Sequence, residues 1–294
     1  MNHTAIDAMV DRVDDALLEY FRDKDHTCHP LDRAMEYSVL AGGKRMRPLL
    51  VLATCQELGG SLEDALPFSI ALAFLHTYSL IHDDLPMMDN DDLRRGKPTN
   101  HKVFGEANAI LAGDALHTEA FKVLAHAPHP NLTDAARIKI IEEFANACGR
   151  RGMVAGQVMD MEGSRRDLDL ATLQLLHERK TGALILFSVR LGAYLAGANE
   201  AQMKAVTKFG RALGLLFQVV DDLLDIEGDA AQLGKTAGKD LDQNKATFPK
   251  LLGVVEARNF ADGLLSDALE ALTLCAPKEK LLETLAMFVR NREH

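Results

Sequence analysis

Apolar residues recur three and four positions apart over most of the chain, and strict alternation is nowhere sustained. That period belongs to helices that bury one face. Residues 5–21 set apolar positions against an acidic face and predict an amphipathic helix. Residues 31–40 predict a second, stopped by Gly42-Gly43, and residues 49–58, after Pro48, a third, ended by Gly59-Gly60. Residues 66–81 are apolar nearly all round, so that helix should be buried among others. Further helices are predicted over 107–124, 132–147, 153–162, 170–196, 200–224, 261–274 and 278–289. Two charged stretches read as long loops: 89–101, with Gly96 and Pro98, and 227–249, with Gly228, Gly234 and Gly238. No Ser/Gly linker or charge block divides the chain, so one all-α domain spanning 1–294 is expected.

Composition supports helix on helix. Of 294 residues 47% are hydrophobic but only 5% aromatic, with no Trp, which disfavours a β-sandwich. Lys and Arg number 33 against 43 Asp and Glu, a net charge of −10. Such a surface opposes nucleic acid and stable association with anionic membranes, so an anionic ligand would need local cations or metal ions. Cys28, Cys55, Cys148 and Cys275 show no C-x-x-C pairing and read as reduced thiols of a cytoplasmic protein. Asp7, Asp11, Asp14, Asp15 and Glu19 are wrong for a signal peptide, and the apolar run 67–81 contains Ser69, His76, Thr77 and Ser79, too polar and short to span a bilayer.

Two aspartate clusters then stand out. Asp83, Asp84 and Asp89 close the buried helix, and Asp221, Asp222 and Asp225 close another. Asp221 and Asp225 share a helix face, with Gln218 and Gly214 continuing that line backwards. Like charges four apart destabilise a helix, and acids are disfavoured at its C-terminal end. Hard oxygen donors in this position suit Mg²⁺. Asp83 and Asp89, six apart, do not share an ideal face, but Pro86 between them should break the helix and let the chain curl back. A solvated acidic helix end is the plainer alternative for either cluster taken alone.

Cations flank the acids. Gly42-Gly43-Lys44-Arg45-Met46-Arg47-Pro48 sets three cations after two flexible glycines, and Arg94-Arg95-Gly96-Lys97 follows the first cluster. Such runs can wrap phosphate, though many are only solvated surface. His76 projects from nearly the same face as Asp83, where a satisfied core histidine is the ordinary reading. Lys180-Thr181 lies in an apolar helix, so Lys180 needs an anionic partner or a path for its stem to the surface. Together these features describe a site for two polyanions, one bridged by metal and one gripped by Lys and Arg.

At this point the chain resembles the trans-isoprenyl diphosphate synthases. The resemblance rests on GGKRMRP (42–48), DDLPMMDNDDLRRGKPT (83–99), GQVMD (156–160), KTG (180–182), FQVVDDLLD (217–225), LGK (233–235) and KATFP (245–249), in the family's order. The bacterial farnesyl diphosphate synthases are the closest group, having four residues, Pro included, between the second and last Asp of the first motif. The resemblance implies a single large helical bundle around a central cavity, usually a homodimer, that joins an allylic diphosphate (dimethylallyl or geranyl) to isopentenyl diphosphate and releases pyrophosphate. It further implies that Asp83, Asp84, Asp89 and Asp221 hold three Mg²⁺, or Mn²⁺ in its place, with Asp222 and Asp225 acting nearby through metal-bound water. Arg94, Lys180 and Lys235 would contact the allylic diphosphate. Lys44, Arg47, His76 and Arg95 would bind isopentenyl diphosphate, with Gly43 permitting close approach. Thr181 and Gln218 would face the allylic cation.

Product length can be argued from the helix ending at Asp83. With about 5.4 Å per turn, Ser79 lies directly below Asp83 and Tyr78 is turned partly aside. The family implicates both positions, and an aromatic at Tyr78 resembles makers of farnesyl diphosphate (C15), the expected product. Asn90, Asn244 and Phe248 depart from frequent family residues without removing a proposed ligand. Arg290 and Arg292 could fold over the basic site. A terpene cyclase would not need GGKRMRP. A phosphohydrolase built on His76, His82 and Asp83 leaves the second cluster unexplained, and a non-catalytic subunit would have lost aspartates.

Overall fold

The computed structural model describes residues 3–22, 29–163, 168–227, 246–275 and 279–292. Cys28, Lys235, Asn244, Lys245, the LGK motif and the glycines of the second long loop lie outside them. The described residues are almost wholly helical, and their contacts divide the chain into two compact units.

One unit holds His3–Leu52 and Ser61–Ile141. It contains α1 (His3–Arg22), α2 (His29–Val39), α4 (Leu62–Asp83), α5 (Asn100–Phe104) and α6 (Glu106–His126), with most of α7 (Asp134–Cys148) and the start of α3 (Met46–Glu57). The Ser61 hydroxyl caps α4 by accepting from the Asp64 N–H at 3.3 Å, and Glu63 and Asp64 complement the positive end of the helix. Helix α4 packs on α6, α1 and α2. Its 22 residues have the length and apolarity to cross a bilayer, more than the run 67–81 alone suggested, but Ala65 and Phe68–Leu75 are buried in this unit. Phe74 sits in a ring cluster with Tyr20 at 4.7 Å and Phe21 at 6.0 Å, and its full burial is worth about 1.5–3 kcal/mol.

The other unit holds Ala53–Gly60 and the chain from Glu142 onward. It contains α8 (Met153–Gly163), α9 (Leu170–His177), a π-helical turn (Glu178–Gly182), α10 (Ala183–Leu195), α11 (Glu200–Glu227), α12 (Phe248–Leu252), α13 (Val254–Thr273) and α14 (Leu281–Asn291). The long α11 packs against α13, α10, the π turn and α14. Cys55, Cys148 and Cys275 are buried thiols, and burial pushes that of Cys148 up to about 11.

Most predicted helices are observed, but the short α5 and α12 had no prediction and the π turn interrupts the helix predicted over 170–196. Helix α3 begins before Pro48, which its first turn accommodates. The 89–101 loop contains a two-stranded antiparallel ribbon, β1 (Leu93–Arg94) on β2 (Lys97–Pro98). The helix predicted from 261 begins at Val254, where an exposed Val254-Val255 pair hides the period.

Helix α14 is tied to its unit by a buried acid. The Glu57 carboxylate accepts the Leu282 N–H at 3.1 Å, closing one of the donors left open at the helix start. Burial raises the Glu57 pKa, the backbone donors of Leu282 and Leu281 oppose that, and Glu279 and Glu283 add to it. The folded chain therefore holds this proton more tightly than the unfolded one, and stability falls as pH rises from the ordinary Glu range through the raised value. A Glu57→Gln variant keeps an acceptor for Leu282 and removes that fall. Urea melts should show no difference from the unaltered chain below the window and a more stable variant above it.

Candidate active site

In the first unit α4 stops at Asp83, and Asp84 caps it in a right-handed conformation. Beyond Pro86 the chain curls back, as the proline implies. The Asp89 N–H donates to the Asp83 carbonyl at 2.8 Å, and the N–H groups of Met88 and Asn90 donate to Leu85. Asn90 closes the turn at φ 51°, a left-handed conformation that Asn tolerates well. Residues six apart in sequence thus become neighbours. Asp83 is half-buried, Asp84 buried and Asp89 exposed.

The Asp84 carboxylate carries the fork of Arg94. Nε donates to its two oxygens at 2.7 and 2.9 Å, and Nη2 lies 2.6 Å from Oδ1. Asp91 is 3.7 Å from the same guanidinium. Arg94 is held out of water, yet these acids keep its pKa above the ordinary arginine value. Without another ligand, the arginine expected on an allylic diphosphate rests on an expected metal ligand.

The ribbon aims the next cation. Arg95 (φ 52°) and Gly96 (φ 74°) form a two-residue turn with both residues left-handed. A left-handed Arg is strained, and such strain concentrates at functional positions. The Arg95 guanidinium lies across Gly42 and Gly43, donating to the Gly42 carbonyl, and a Cβ on Gly43 would fall 2.6 Å from its Cζ. Partial desolvation, with Arg45 and Arg94 nearby, lowers the Arg95 pKa to about 10.

Arg45, the middle cation of its motif, is structural. It is buried, donating from Nε to Asp14 at 2.7 Å and from Nη2 to the Val39 carbonyl at 2.8 Å. Lys44 is exposed and Arg47 half-buried beside it in the same motif. His76 faces the same group of charges. Desolvation first, then Arg47, Arg95, Arg94 and Arg45, hold its pKa well below the ordinary value, so the imidazole is neutral at physiological pH. Such a gathering of cations around a neutral donor–acceptor is suited to a polyanion.

In the second unit the site is built around the π turn, a feature that often marks function. Glycines let backbones meet there. A Cβ on Gly156 of α8 would collide with the Lys180 backbone, and one on Gly214 of α11 would lie 2.7 Å from Gly182 Cα. With α8 so close, Lys180 Nζ reaches Asp160 at 2.5 Å, the anionic partner its apolar helix demands. One turn beyond Gly214, the Thr181 hydroxyl donates to Gln218 Oε1 at 2.5 Å. The line Gly214, Gln218, Asp221 is therefore a line of contacts as well as a helix face.

The second aspartate cluster divides by role. Asp222, expected near metal, is buried and accepts the Phe248 N–H at 2.8 Å, fixing the start of α12. That backbone bond and its burial turn it towards anchoring. Asp221 and Asp225 remain half-buried. The arginines of the tail, expected over the basic site, sit on acids of their own unit: Arg290 on Asp262 at 2.7 Å and Arg292 on Asp221 at 2.6 Å. Each removes the charge of a nearby carboxylate, which the basic site could not offer.

Among the described residues no three of His, Cys, Asp and Glu converge to hold a metal ion by themselves. The donors are nonetheless hard carboxylate oxygens, one or two at each place. That fits an ion such as Mg²⁺, which keeps water and takes its other oxygens from phosphate.

Sequence reasoning missed Asp160, the π turn and His117. The His117 ring of α6 stacks on Tyr78 with centroids 4.9 Å apart and 26° between planes, and His82 meets Tyr78 edge-on at 4.9 Å. Ser79 returns its hydroxyl to the His76 carbonyl at 2.9 Å. Only Asp160 left a signal, since an apolar-helix lysine calls for an acid.

Residues 28–283 match the family model described as Polyprenyl synthetase. Farnesyl diphosphate synthase of Geobacillus stearothermophilus is 51% identical over 78% of this chain and 77% of its own. The chloroplastic geranylgeranyl pyrophosphate synthase of Catharanthus roseus is 48% identical over 90% of this chain and 74% of its own. Among solved structures, a geranyltransferase from Helicobacter pylori, described as complexed with magnesium and isoprenyl diphosphate, superposes with a TM-score of 0.80 at 34% identity, covering 97% of this chain and 96% of that one.

Proposed function

Because the chain belongs to the polyprenyl synthetase family, whose members are magnesium-dependent prenyltransferases, we propose that it condenses dimethylallyl and then geranyl diphosphate with isopentenyl diphosphate and stops at farnesyl diphosphate. The observation that carries the C15 assignment is the Tyr78 ring, five residues before Asp83 on α4 and braced by His117 and His82. An aromatic side chain held from two sides limits how far a hydrocarbon can extend along α4 away from Asp83. A relative that makes a C20 product is nearly as similar as one that makes C15, so the pocket floor, not overall identity, decides the length.

By the family resemblance, Asp83, Asp84, Asp89 and Asp221 would be the carboxylates that hold magnesium. The bound metal supplies Lewis-acid stabilisation of the charge that develops on the departing pyrophosphate. Lys180, held toward its task by Asp160, and Arg94, released from Asp84, add cationic donors to the same group. The Thr181 hydroxyl donates its hydrogen bond to Gln218 Oε1, leaving its lone pairs to face the allylic cation. Lys44, Arg47, Arg95 and neutral His76 grip isopentenyl diphosphate so that its double bond can attack that cation. The final proton leaves to pyrophosphate, since no side-chain base is obvious in the sequence.

End-product analysis tests the assignment. Protein supplied with dimethylallyl diphosphate and excess isopentenyl diphosphate should yield a C15 alcohol after dephosphorylation, and a dominant C20 alcohol overturns the length assignment. The isopentenyl subsite has its own test. Gly43→Ala forces a Cβ into the Arg95 guanidinium at φ 118°, so it should raise KM for isopentenyl diphosphate about tenfold and leave that for the allylic substrate within about twofold. Equal rises in both KM values would remove Gly43 and Arg95 from that subsite.

A further inference from the structure

Arg292 follows the last turn of α14, in extended conformation, and its side chain is only 7% exposed. Its Nη2 lies 2.6 Å from both Asp221 Oδ1 and the Phe217 carbonyl, and its guanidinium lies 4.0 Å above the Phe217 ring. Its buried Nε has no hydrogen-bond partner. Burying a guanidinium is costly unless a countercharge is met. Asp221 needs one equally, since it shares a helix face with Asp225 near the negative end of α11.

We propose that Arg292 is a tethered counter-ion for Asp221, displaced when metal and diphosphate bind, so that occupancy of the site releases the end of the chain. This rests on the reading of Asp221 as a metal ligand. A metal ion held by Asp221 would sit about 2.1 Å from a carboxylate oxygen, and Arg292 already covers one of the two, Oδ1, from 2.6 Å. The two cations therefore compete, and by linkage whatever favours one disfavours the other by the same factor. The contact between Glu57 and Leu282 sits at the opposite end of α14, so the helix keeps its anchor while Arg292 lets go. The unpartnered Nε and a single ionic contact make the closed state one that a stronger cation can open.

The test uses the full chain, with Mn²⁺ and inorganic pyrophosphate as probe and free Mn²⁺ read by electron paramagnetic resonance. Arg292→Gln should bind Mn²⁺ about five- to tenfold more tightly than the unaltered chain, with Arg292→Lys between them, and a thermal melt should show each folded. Trypsin supplies a second reading. Cleavage after Arg292, identified by intact mass, should accelerate several-fold when Mn²⁺ and pyrophosphate are added. Unchanged or weaker Mn²⁺ binding by Arg292→Gln overturns the proposal, as does a cleavage rate indifferent to the probe. Asp221→Asn separates the underlying reading: if it leaves Mn²⁺ binding intact, Asp221 is not a ligand, whereas lost binding there with no effect of Arg292→Gln rejects the counter-ion alone.

Discussion

An Asp83→Asn variant is expected to lose about 10³-fold in condensation rate while melting close to the unaltered chain, whereas Asp84→Asn should lose rate and stability together. The two neighbours differ because of what holds them. Asp83 is half-buried at the end of α4, and the bond that returns the chain there uses its backbone carbonyl, which the substitution keeps. Asp84 is buried under the Arg94 fork, with Nη2 2.6 Å from Oδ1. An amide there leaves the partly buried guanidinium only the more distant Asp91, at 3.7 Å, as its paired carboxylate, a cost of about 1–3 kcal/mol and several degrees in Tm. Steady-state rates and calorimetry on the two variants separate the roles. A destabilised Asp83→Asn, or an Asp84→Asn that melts normally, would contradict the assignment of Arg94 to Asp84.

The second large effect concerns product, not rate. Tyr78→Ala should shift the principal end product from C15 to C20 or longer. The ring is the largest group near the end of α4, and its stacking partner His117 is itself met edge-on by Phe121 at 5.5 Å. Removing the ring opens the space down to the His117 imidazole, which then becomes the next barrier. Tyr78→Ala combined with His117→Ala should lengthen the product again. Ser79→Ala removes only a hydroxyl already spent on its own helix, so its product should remain C15. Unchanged C15 output from Tyr78→Ala would remove Tyr78 as the floor.

What the pattern of residues made legible depended on the range of the interactions involved. Helices such as α1, α6 and α11 follow from local periodicity, and the return of Asp89 to Asp83 follows from Pro86. Strands of two residues carry no period, so the ribbon that aims Arg95 was invisible. The π turn depends on Gly156 and Gly214 admitting other backbones, which residue type alone does not reveal. The bond from the Phe248 N–H to Asp222 and the pairing of Arg292 with its own unit were unread for a related reason. The partner residues, Phe248 and Phe217, lie 26 and 75 positions away, and the motif that contains Asp222 says nothing of which carboxylate faces inward. Cation motifs were read by type, which does not reveal that Arg45 is buried on Asp14 and the Val39 carbonyl.

A metal-dependent head-to-tail condensation has a fixed stoichiometry, and that stoichiometry is its test. Purified protein is given dimethylallyl diphosphate and labelled isopentenyl diphosphate, with Mg²⁺ or with a chelator, and acid-labile label and released pyrophosphate are measured together. One pyrophosphate for each isopentenyl unit incorporated, both vanishing with chelator, is the predicted result. Pyrophosphate release without chain extension, or no extension by folded protein in Mg²⁺, would contradict it.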